Sequence, residues 1–218
     1  MSDKITTAYR KSKNIYDDVL TQNTWWGKLY IRLFWNGVDD AADIATHLFA
    51  HIPDDFSGKL LDVPTGTATF TWNKFVSLPS ASITCIDYSE DMLEHAKKRL
   101  GHAANISLLQ GDVGNMPFED ETFDIVLSMN GFHVFPDKER AFSETHRVLK
   151  TGGKFLTSFY ISGQSKATDF LANHFMARKG WFSPPFDTEQ SVKSRLEGLY
   201  QEVEFQLYGP IICCKCIK

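Results

Sequence analysis

The chain has 218 residues, of which 43% are hydrophobic and 23% charged, as is typical of a globular domain with a sizeable core. Its net charge of −4 argues against a general nucleic-acid-binding protein, because phosphate contacts require a basic face. The polar N-terminal sequence lacks the apolar segment of a secretory signal, and no uncharged apolar stretch of about 18 residues could span a membrane. We therefore expect a cytoplasmic protein without a membrane span.

Residues 1–50 are predicted to be helical and are rich in aromatic side chains. Trp26, Tyr30 and Leu33 lie three or four residues apart and would share one helix face. This N-terminal segment either packs across the main domain or covers a ligand cleft as a lid. On the second interpretation, Tyr16, Trp26 and Tyr30 are candidates for the lining of a substrate cleft.

From residue 59 onward, strand-like and helix-like segments alternate, which is typical of a parallel sheet covered on both faces. Strands are predicted at 59–63, 82–87, 105–109, 123–129, 153–160, 202–208 and 211–217, and helices at about 67–77, 89–100 and 137–149. Because only Gly209-Pro210 separates the last two strands, they should form an antiparallel hairpin. The sequence thus predicts an α/β fold over residues 51–218, with a Rossmann-like, doubly wound, mostly parallel sheet of seven strands. Residues 161–200 would form an insertion on the substrate side.

Three cysteines, Cys213, Cys214 and Cys216, lie close together near the C-terminus. Clustered thiolates are potential zinc ligands. In a strand, however, Cys214 and Cys216 face one side and Cys213 the other, so the three side chains do not converge. We predict core cysteines and no metal site.

Residues 59–87 have the pattern of a nucleotide-binding βαβ unit: a strand, a turn with one glycine, a helix, and a second strand that ends in an acid. The backbone N–H groups of the turn and the N-terminus of the helix after it could face a polar ligand. Asp87 follows Gly66 by 21 residues and is placed to accept hydrogen bonds from two ribose hydroxyls. The pattern indicates a ligand that contains a ribose.

Polar or acidic residues also follow four of the predicted strands, at 62–66, 87–88, 110–113 and 128–133. Ligands of such sheets bind beyond the carboxyl ends of the strands, where the strand order reverses. The four stretches therefore predict one shared site.

With these motifs, the chain resembles the class I S-adenosylmethionine-dependent methyltransferases, in the branch that includes the ubiquinone/menaquinone-biosynthesis and small-molecule enzymes. The matching motifs are Leu61-Asp62-Val63-Pro64-Thr65-Gly66-Thr67, Ile86-Asp87-Tyr88-Ser89-Glu90-Asp91-Met92-Leu93, Gly111-Asp112-Val113-Gly114-Asn115-Met116-Pro117-Phe118, Phe123-Asp124-Ile125-Val126 and Glu144-Thr145-His146-Arg147-Val148-Leu149-Lys150-Thr151-Gly152-Gly153. The chain departs from the family at the glycine-rich turn, where Pro64 and Ala68 stand at the first and third glycine positions.

The resemblance implies a cofactor, S-adenosyl-L-methionine, with S-adenosyl-L-homocysteine as its product, and a small-molecule methyl acceptor. It also implies roles for individual residues. The amino-acid end of the cofactor would be held by Asp62, Pro64, Thr65, Gly66 and Thr67. Asp87 would bind the ribose, with Tyr88 and Met92 against the adenine, and Gly111, Asp112 and Val113 would contact the edge of the adenine. The methionine and methyl side would be lined by Asn130, Gly131 and Phe132.

Methyl transfer from a sulfonium is an in-line displacement, for which positioning alone can supply roughly 7–11 kcal/mol of barrier lowering. A general base is needed only if the acceptor must lose a proton. His133, three residues after Asn130, is the candidate base, although packing or capping of its loop is an alternative role.

Two other functions are alternatives to a methyltransferase. A nicotinamide dehydrogenase is disfavoured because residues 66–70 do not satisfy the G-x-G-x-x-G pattern that lines a pyrophosphate site. A non-catalytic, S-adenosylmethionine-binding or scaffold module with a methyltransferase fold stays open, because fold does not fix function.

Overall fold

The computed structural model describes residues 41–101 and 103–218. Within those ranges, one sheet contains the strands β1 (Lys59–Asp62), β2 (Ser82–Asp87), β3 (Ile106–Gln110), β4 (Phe123–Met129), β5 (Leu149–Tyr160), β6 (Glu202–Tyr208) and β7 (Ile211–Ile217). The helices are α1 (Ala41–Phe49), α2 (Trp72–Val76), α3 (Glu90–Leu100), α4 (Lys138–Val148), α5 (Lys166–Leu171), α6 (Ala177–Lys179) and α7 (Glu189–Leu199), with a π-helical turn at Ala172–Met176 between α5 and α6.

The strand order is β3-β2-β1-β4-β5-β7-β6, with parallel pairing from β3 to β5 and antiparallel pairing of β7 to both of its neighbours. The predicted doubly wound sheet and its C-terminal hairpin are therefore confirmed. The chain order reverses between β1 and β4, so their carboxyl ends form the topological switch point at which ligands of such sheets bind.

Two hydrophobic layers cover the sheet. One packs under α1, α2 and α3 and includes Leu48, Phe75 and Cys213, and the other packs under α4 and α7 and includes Cys214 and Cys216. The predicted division of the three C-terminal cysteines between the two faces is confirmed, and all three side chains are buried.

Capping residues define the two ends of α3 and the start of α4. The Ser89 hydroxyl accepts a hydrogen bond from the Met92 N–H, and Gly101 ends α3 at a φ of 65°. The Asp137 carboxylate caps α4 by accepting from the Arg140 N–H. None of the helices in the described ranges combines the length and the apolar character needed to cross a bilayer.

The helix predicted at about 67–77 is wrong in its extent. Only Trp72–Val76 is helical, and residues 63–71 form successive turns, with Ala68 at a φ of 56°. A left-handed residue interrupts helical geometry, and the threonines on either side of Ala68 are weak helix formers. The N-terminus of a helix beginning near residue 67 was expected to face the ligand. A loop of residues 63–71 takes its place.

The loop between β3 and β4 is held by one arginine of α4. The Arg147 guanidinium donates to both carboxylate oxygens of Glu144, at 2.7 and 2.8 Å, and to the carbonyl oxygens of Met116 and Phe118. Glu144 in turn accepts from the Met116 N–H at 2.9 Å. The planar fork of an arginine can serve all these acceptors at once, whereas a lysine ammonium cannot.

We therefore expect Arg147→Lys to lower the free energy of unfolding by about 2–3 kcal/mol, because part-buried carbonyls lose their donors. Urea denaturation measures the change. The control is Lys193→Ala, which removes a half-buried ion pair with Glu189 and a contact with the Phe205 ring, and it should cost at most about 1 kcal/mol. Equal losses in the two variants would contradict the assignment.

Candidate functional site

A pocket lies at the carboxyl ends of β1, β2 and β4, beside the switch point between β1 and β4. Eleven residues expected to bind cofactor line it: Asp62, Pro64, Thr65, Gly66, Thr67, Asp87, Tyr88, Met92, Gly111, Val113 and Asn130. The sheet thus brings together residues that are separated by up to 68 positions in the sequence, from Asp62 to Asn130.

Asp62, the last residue of β1, is 1% exposed. Its Oδ2 accepts from the Thr65 hydroxyl at 3.1 Å, while Oδ1 is buried and has no hydrogen-bond partner among the described residues. The pKa of Asp62 is raised to about 8, mainly by burial and also by the nearby Asp87 charge, although the hydrogen bonds from Thr65 and Thr71 oppose the shift. A buried carboxylate oxygen without a donor is a position where a cationic ligand group would be stabilised.

Asp87, at the end of β2, is held in place by two backbone donors. Its Oδ1 accepts from the Ser89 N–H and its Oδ2 from the Gly66 N–H, both at 2.8 Å. Each oxygen keeps a second lone pair, so the carboxylate can still accept from two hydroxyls. Burial raises the pKa of Asp87 to about 6, although the backbone hydrogen bonds oppose the shift.

Gly66 links the turn after β1 to the end of β2 through its bond to Asp87. Its φ of 57° lies in the left-handed region, which glycine adopts without strain. The next part of the loop is tied to α3, because the Arg99 guanidinium donates to the Thr67 carbonyl at 2.8 Å. The loop is therefore fixed at both of its pocket-lining turns.

Four predicted site residues do not line the pocket. The Asp112 carboxylate accepts from the Gly114 N–H within its own turn, at 2.8 Å. Gly131 lies beneath Pro64, where an added Cβ would stand 2.5 Å from the proline Cδ, so its role is to permit this close approach. Phe132 is fully buried and stacks on Phe142 with ring centroids 4.0 Å apart.

His133 is the fourth of these residues, and its buried surroundings do not suit a general base. The side chain is 4% exposed, its Nδ1 accepts from the Tyr160 N–H at 3.2 Å, and its ring packs against Phe182 at 4.2 Å. The pKa of His133 is lowered to about 3, mainly by burial and also by the Lys138 charge. The neutral ring holds the loop against β5, which is the alternative role considered from the sequence.

His133→Asn should retain turnover and cofactor affinity within about threefold, because the shorter amide still offers an acceptor to the Tyr160 N–H. The free energy of unfolding should fall by about 1–3 kcal/mol, because part of the ring volume is lost from a packed site. Steady-state kinetics and urea denaturation test both points. A loss of turnover of a hundredfold or more would restore the general-base assignment.

Eight residues that line the pocket were not predicted from the sequence: Ala68, Thr69, Phe70, Thr71, Ile86, Ser89, Val134 and Phe135. The alternating threonines at 67–71 carried a usable signal, since they disfavour a helix and supply hydroxyls to a loop. The apolar residues carried no such signal, because apolar residue types occur both in pocket walls and in hydrophobic cores. The candidates Tyr16, Trp26 and Tyr30 lie outside the described residues.

Known methyltransferases resemble this chain both in sequence and in structure. Residues 61–157 match the methyltransferase domain family. A demethylmenaquinone methyltransferase of Staphylococcus epidermidis is 39% identical over 108 residues, which are 49% of this chain and 45% of the relative. The match thus spans less than half the length of that relative.

Solved structures share the fold at lower identity. A Thermotoga maritima protein, described as an S-adenosylmethionine-dependent methyltransferase and possible histamine N-methyltransferase, superimposes with a TM-score of 0.69 at 18% identity, over 98% of this chain and 99% of that one. Phosphoethanolamine N-methyltransferase 2 of Haemonchus contortus, solved in complex with S-adenosyl-L-methionine, gives a TM-score of 0.64 at 19% identity, over 88% of this chain and 45% of that one.

Proposed function

Because the chain belongs to the class I S-adenosylmethionine-dependent methyltransferases, we propose that it transfers a methyl group from S-adenosyl-L-methionine to a small-molecule acceptor by in-line displacement. The observation that carries the proposal is the presence of two buried carboxylates in one pocket. Among the described residues, Asp62 Oδ1 has no hydrogen-bond partner, and the Asp87 carboxylate can accept hydrogen bonds beyond those from the Ser89 and Gly66 N–H groups. This pair matches the two polar ends of the cofactor, an ammonium and a ribose.

The described residues fit the cofactor. Asp62 Oδ1 lacks a donor within residues 41–101 and 103–218, and the ammonium of the methionine moiety would supply one. The Asp87 carboxylate would accept from the two ribose hydroxyls with its remaining lone pairs. Tyr88 and Met92 line the same pocket beyond Asp87 and would contact the adenine.

When bound, S-adenosyl-L-methionine supplies an electrophilic methyl group on a sulfonium. The protein's part is to orient the cofactor through Asp62 and Asp87 and to exclude water with apolar walls. Phe70, Met129 and Phe135 provide such walls. Among the described pocket-lining residues, neither histidine nor lysine is present, so we assign no general base.

The acceptor is proposed to be a small molecule that approaches from the side of the insertion at 161–200. Support comes from the methyltransferases that the chain resembles, which include a demethylmenaquinone methyltransferase. The insertion contributes Phe182 and Phe186, which pack on Tyr160 at the end of β5. This packing places the insertion next to the carboxyl ends of the strands.

Calorimetric titration of the protein with S-adenosyl-L-methionine and S-adenosyl-L-homocysteine tests the proposal. Asp87→Ala should weaken both affinities at least about tenfold, because it removes the acceptor of the ribose hydroxyls and of the Gly66 N–H. The matched control is Asp54→Ala, which alters a fully exposed carboxylate paired with Lys74 and should leave both affinities unchanged. A folded wild-type protein that binds neither compound would refute the cofactor assignment.

Turnover separates an enzyme from a binding module. Methyl-labelled S-adenosyl-L-methionine should be converted to S-adenosyl-L-homocysteine when phenol, quinol, amine or thiol acceptors are added. Tight binding without turnover on any acceptor class would instead favour the non-catalytic alternative.

A further inference from the structure

One wall of the pocket is held by hydrogen bonds from a serine that does not itself line the pocket. Val134 and Phe135 line the pocket, and the three consecutive carbonyl oxygens of residues 133–135 accept hydrogen bonds from other parts of the chain. Ser183 takes two of them: its N–H donates to the His133 carbonyl at 2.8 Å and its hydroxyl to the Val134 carbonyl at 2.7 Å.

Lys138 completes this arrangement. Its ammonium donates to the Phe135 carbonyl at 3.3 Å and to the Ser183 carbonyl at 2.6 Å. Four hydrogen bonds thus connect residues 133–138 with Ser183 or with each other, and we call this set the Ser183 clasp. Because all three wall carbonyls are satisfied, the turn has a defined position rather than a choice of conformations.

Ser183 belongs to the insertion between β5 and α7, none of whose described residues lines the pocket. The insertion meets the wall through Ser183 and through Phe182, whose ring packs on His133. Its C-terminal end is fixed to the end of β5, because the Ser162 N–H and hydroxyl both donate to the Asp187 carbonyl. The clasp is therefore a polar connection between the acceptor-side insertion and the pocket wall.

We propose that Ser183 is a positioning residue that sets the Val134–Phe135 wall of the cofactor pocket and couples cofactor affinity to the placement of the insertion. The proposal rests on the function proposed above. A ligand that moves the insertion changes the wall, and by reciprocity the cofactor changes the affinity of that ligand. Ser183 acts through the wall and does not itself contact the cofactor pocket.

Three variants of the full chain test the clasp. Ser183→Ala removes the hydroxyl donor, and Ser183→Thr retains it. Ser191→Ala is the control, because the Ser191 hydroxyl accepts from the Thr188 N–H in the capping box of α7 and does not contact the wall. Two quantities are measured: the affinity for S-adenosyl-L-homocysteine by calorimetry, and amide hydrogen exchange of residues 131–136 in the protein without ligand. Thermal unfolding of each variant reports the purely structural cost.

Ser183→Ala should weaken the affinity about three- to tenfold and speed exchange of the wall amides by a similar factor, because the Val134 carbonyl loses its donor. Ser183→Thr should restore both within about twofold, and Ser191→Ala should lower the melting temperature while leaving both unchanged. If Ser183→Ala also lowers only the melting temperature, the proposal is overturned. If the wild type does not bind S-adenosyl-L-homocysteine, the proposed function fails, and unchanged wall exchange in Ser183→Ala would separately refute the clasp.

Discussion

Asp62→Asn is expected to weaken cofactor binding at least about thirtyfold while making the empty protein more stable at neutral and alkaline pH. The loss of affinity follows because the asparagine keeps the shape of the side chain but removes the negative charge opposite the cofactor ammonium. The gain in stability follows because an ionised carboxylate with a buried, unpaired oxygen is costly, and a neutral amide is not.

The pH dependence of this stability difference has a definite sign. The folded-state pKa of Asp62 is raised to about 8 from 3.8, mainly by burial, so the unfolded chain releases the proton at lower pH than the folded protein does. The wild type therefore loses stability as pH rises from about 4, and the loss is complete above about 8. Asp87, whose pKa is raised to about 6, contributes in the same direction over a narrower window.

Urea denaturation of wild type and Asp62→Asn at several pH values measures the difference. The two should be close near pH 4, and the variant should be more stable by about 5–6 kcal/mol above pH 8, because a shift of about four pKa units corresponds to that much free energy. Asp124→Asn is the control of opposite sign, because the Lys150 side chain and the Lys59 N–H lower the Asp124 pKa despite its partial burial. A variant that is less stable than the wild type at pH 8 would contradict the assignment of Asp62 as an unpaired buried acid.

Cofactor affinity of the wild type should rise steeply with pH between 6 and 8. If only the ionised Asp62 binds the ammonium, a pKa of about 8 in the empty pocket predicts an affinity gain of about 50-fold across this range. Binding should then release close to one proton near pH 6, and this release should decline toward pH 8 and beyond.

Calorimetry with S-adenosyl-L-homocysteine in buffers of different ionisation enthalpy measures both the affinity and the protons released. Asp62→Asn should flatten the pH profile and abolish the release, while Asp54→Ala should leave both unchanged because its carboxylate is fully exposed and remote from the pocket lining. An affinity that is constant or falls between pH 6 and 8 would exclude Asp62 as the ammonium's partner.

The sequence predicted those features of the site that depend on strand ends. Asp62 and Asp87 follow apolar runs whose carboxyl ends must meet at one edge of a parallel sheet, so their convergence followed from the alternation of elements. The ends of α3 also depend on local sequence, because Ser89 and Gly101 are residue types suited to helix caps.

The features that were mispredicted depend on side-chain direction within turns. Phe132 and Phe135 are the same residue type. The turn after Gly131 nevertheless directs the Phe132 side chain into the core, whereas Phe135 lines the pocket. The sequence also carried no signal that Ser183 would meet the carbonyls of residues 133 and 134, about 50 positions earlier. Such contacts arise from tertiary packing, which local sequence patterns do not predict.

The most direct test of the account is a crystal structure of the protein with S-adenosyl-L-homocysteine. We expect the ligand's amino group at about 3 Å from Asp62 Oδ1 and both ribose hydroxyls on the Asp87 carboxylate, with the ring of Phe135 in contact with the ligand. A ligand bound elsewhere, or a bound ligand that leaves Asp62 Oδ1 without a donor, would contradict the proposed cofactor site.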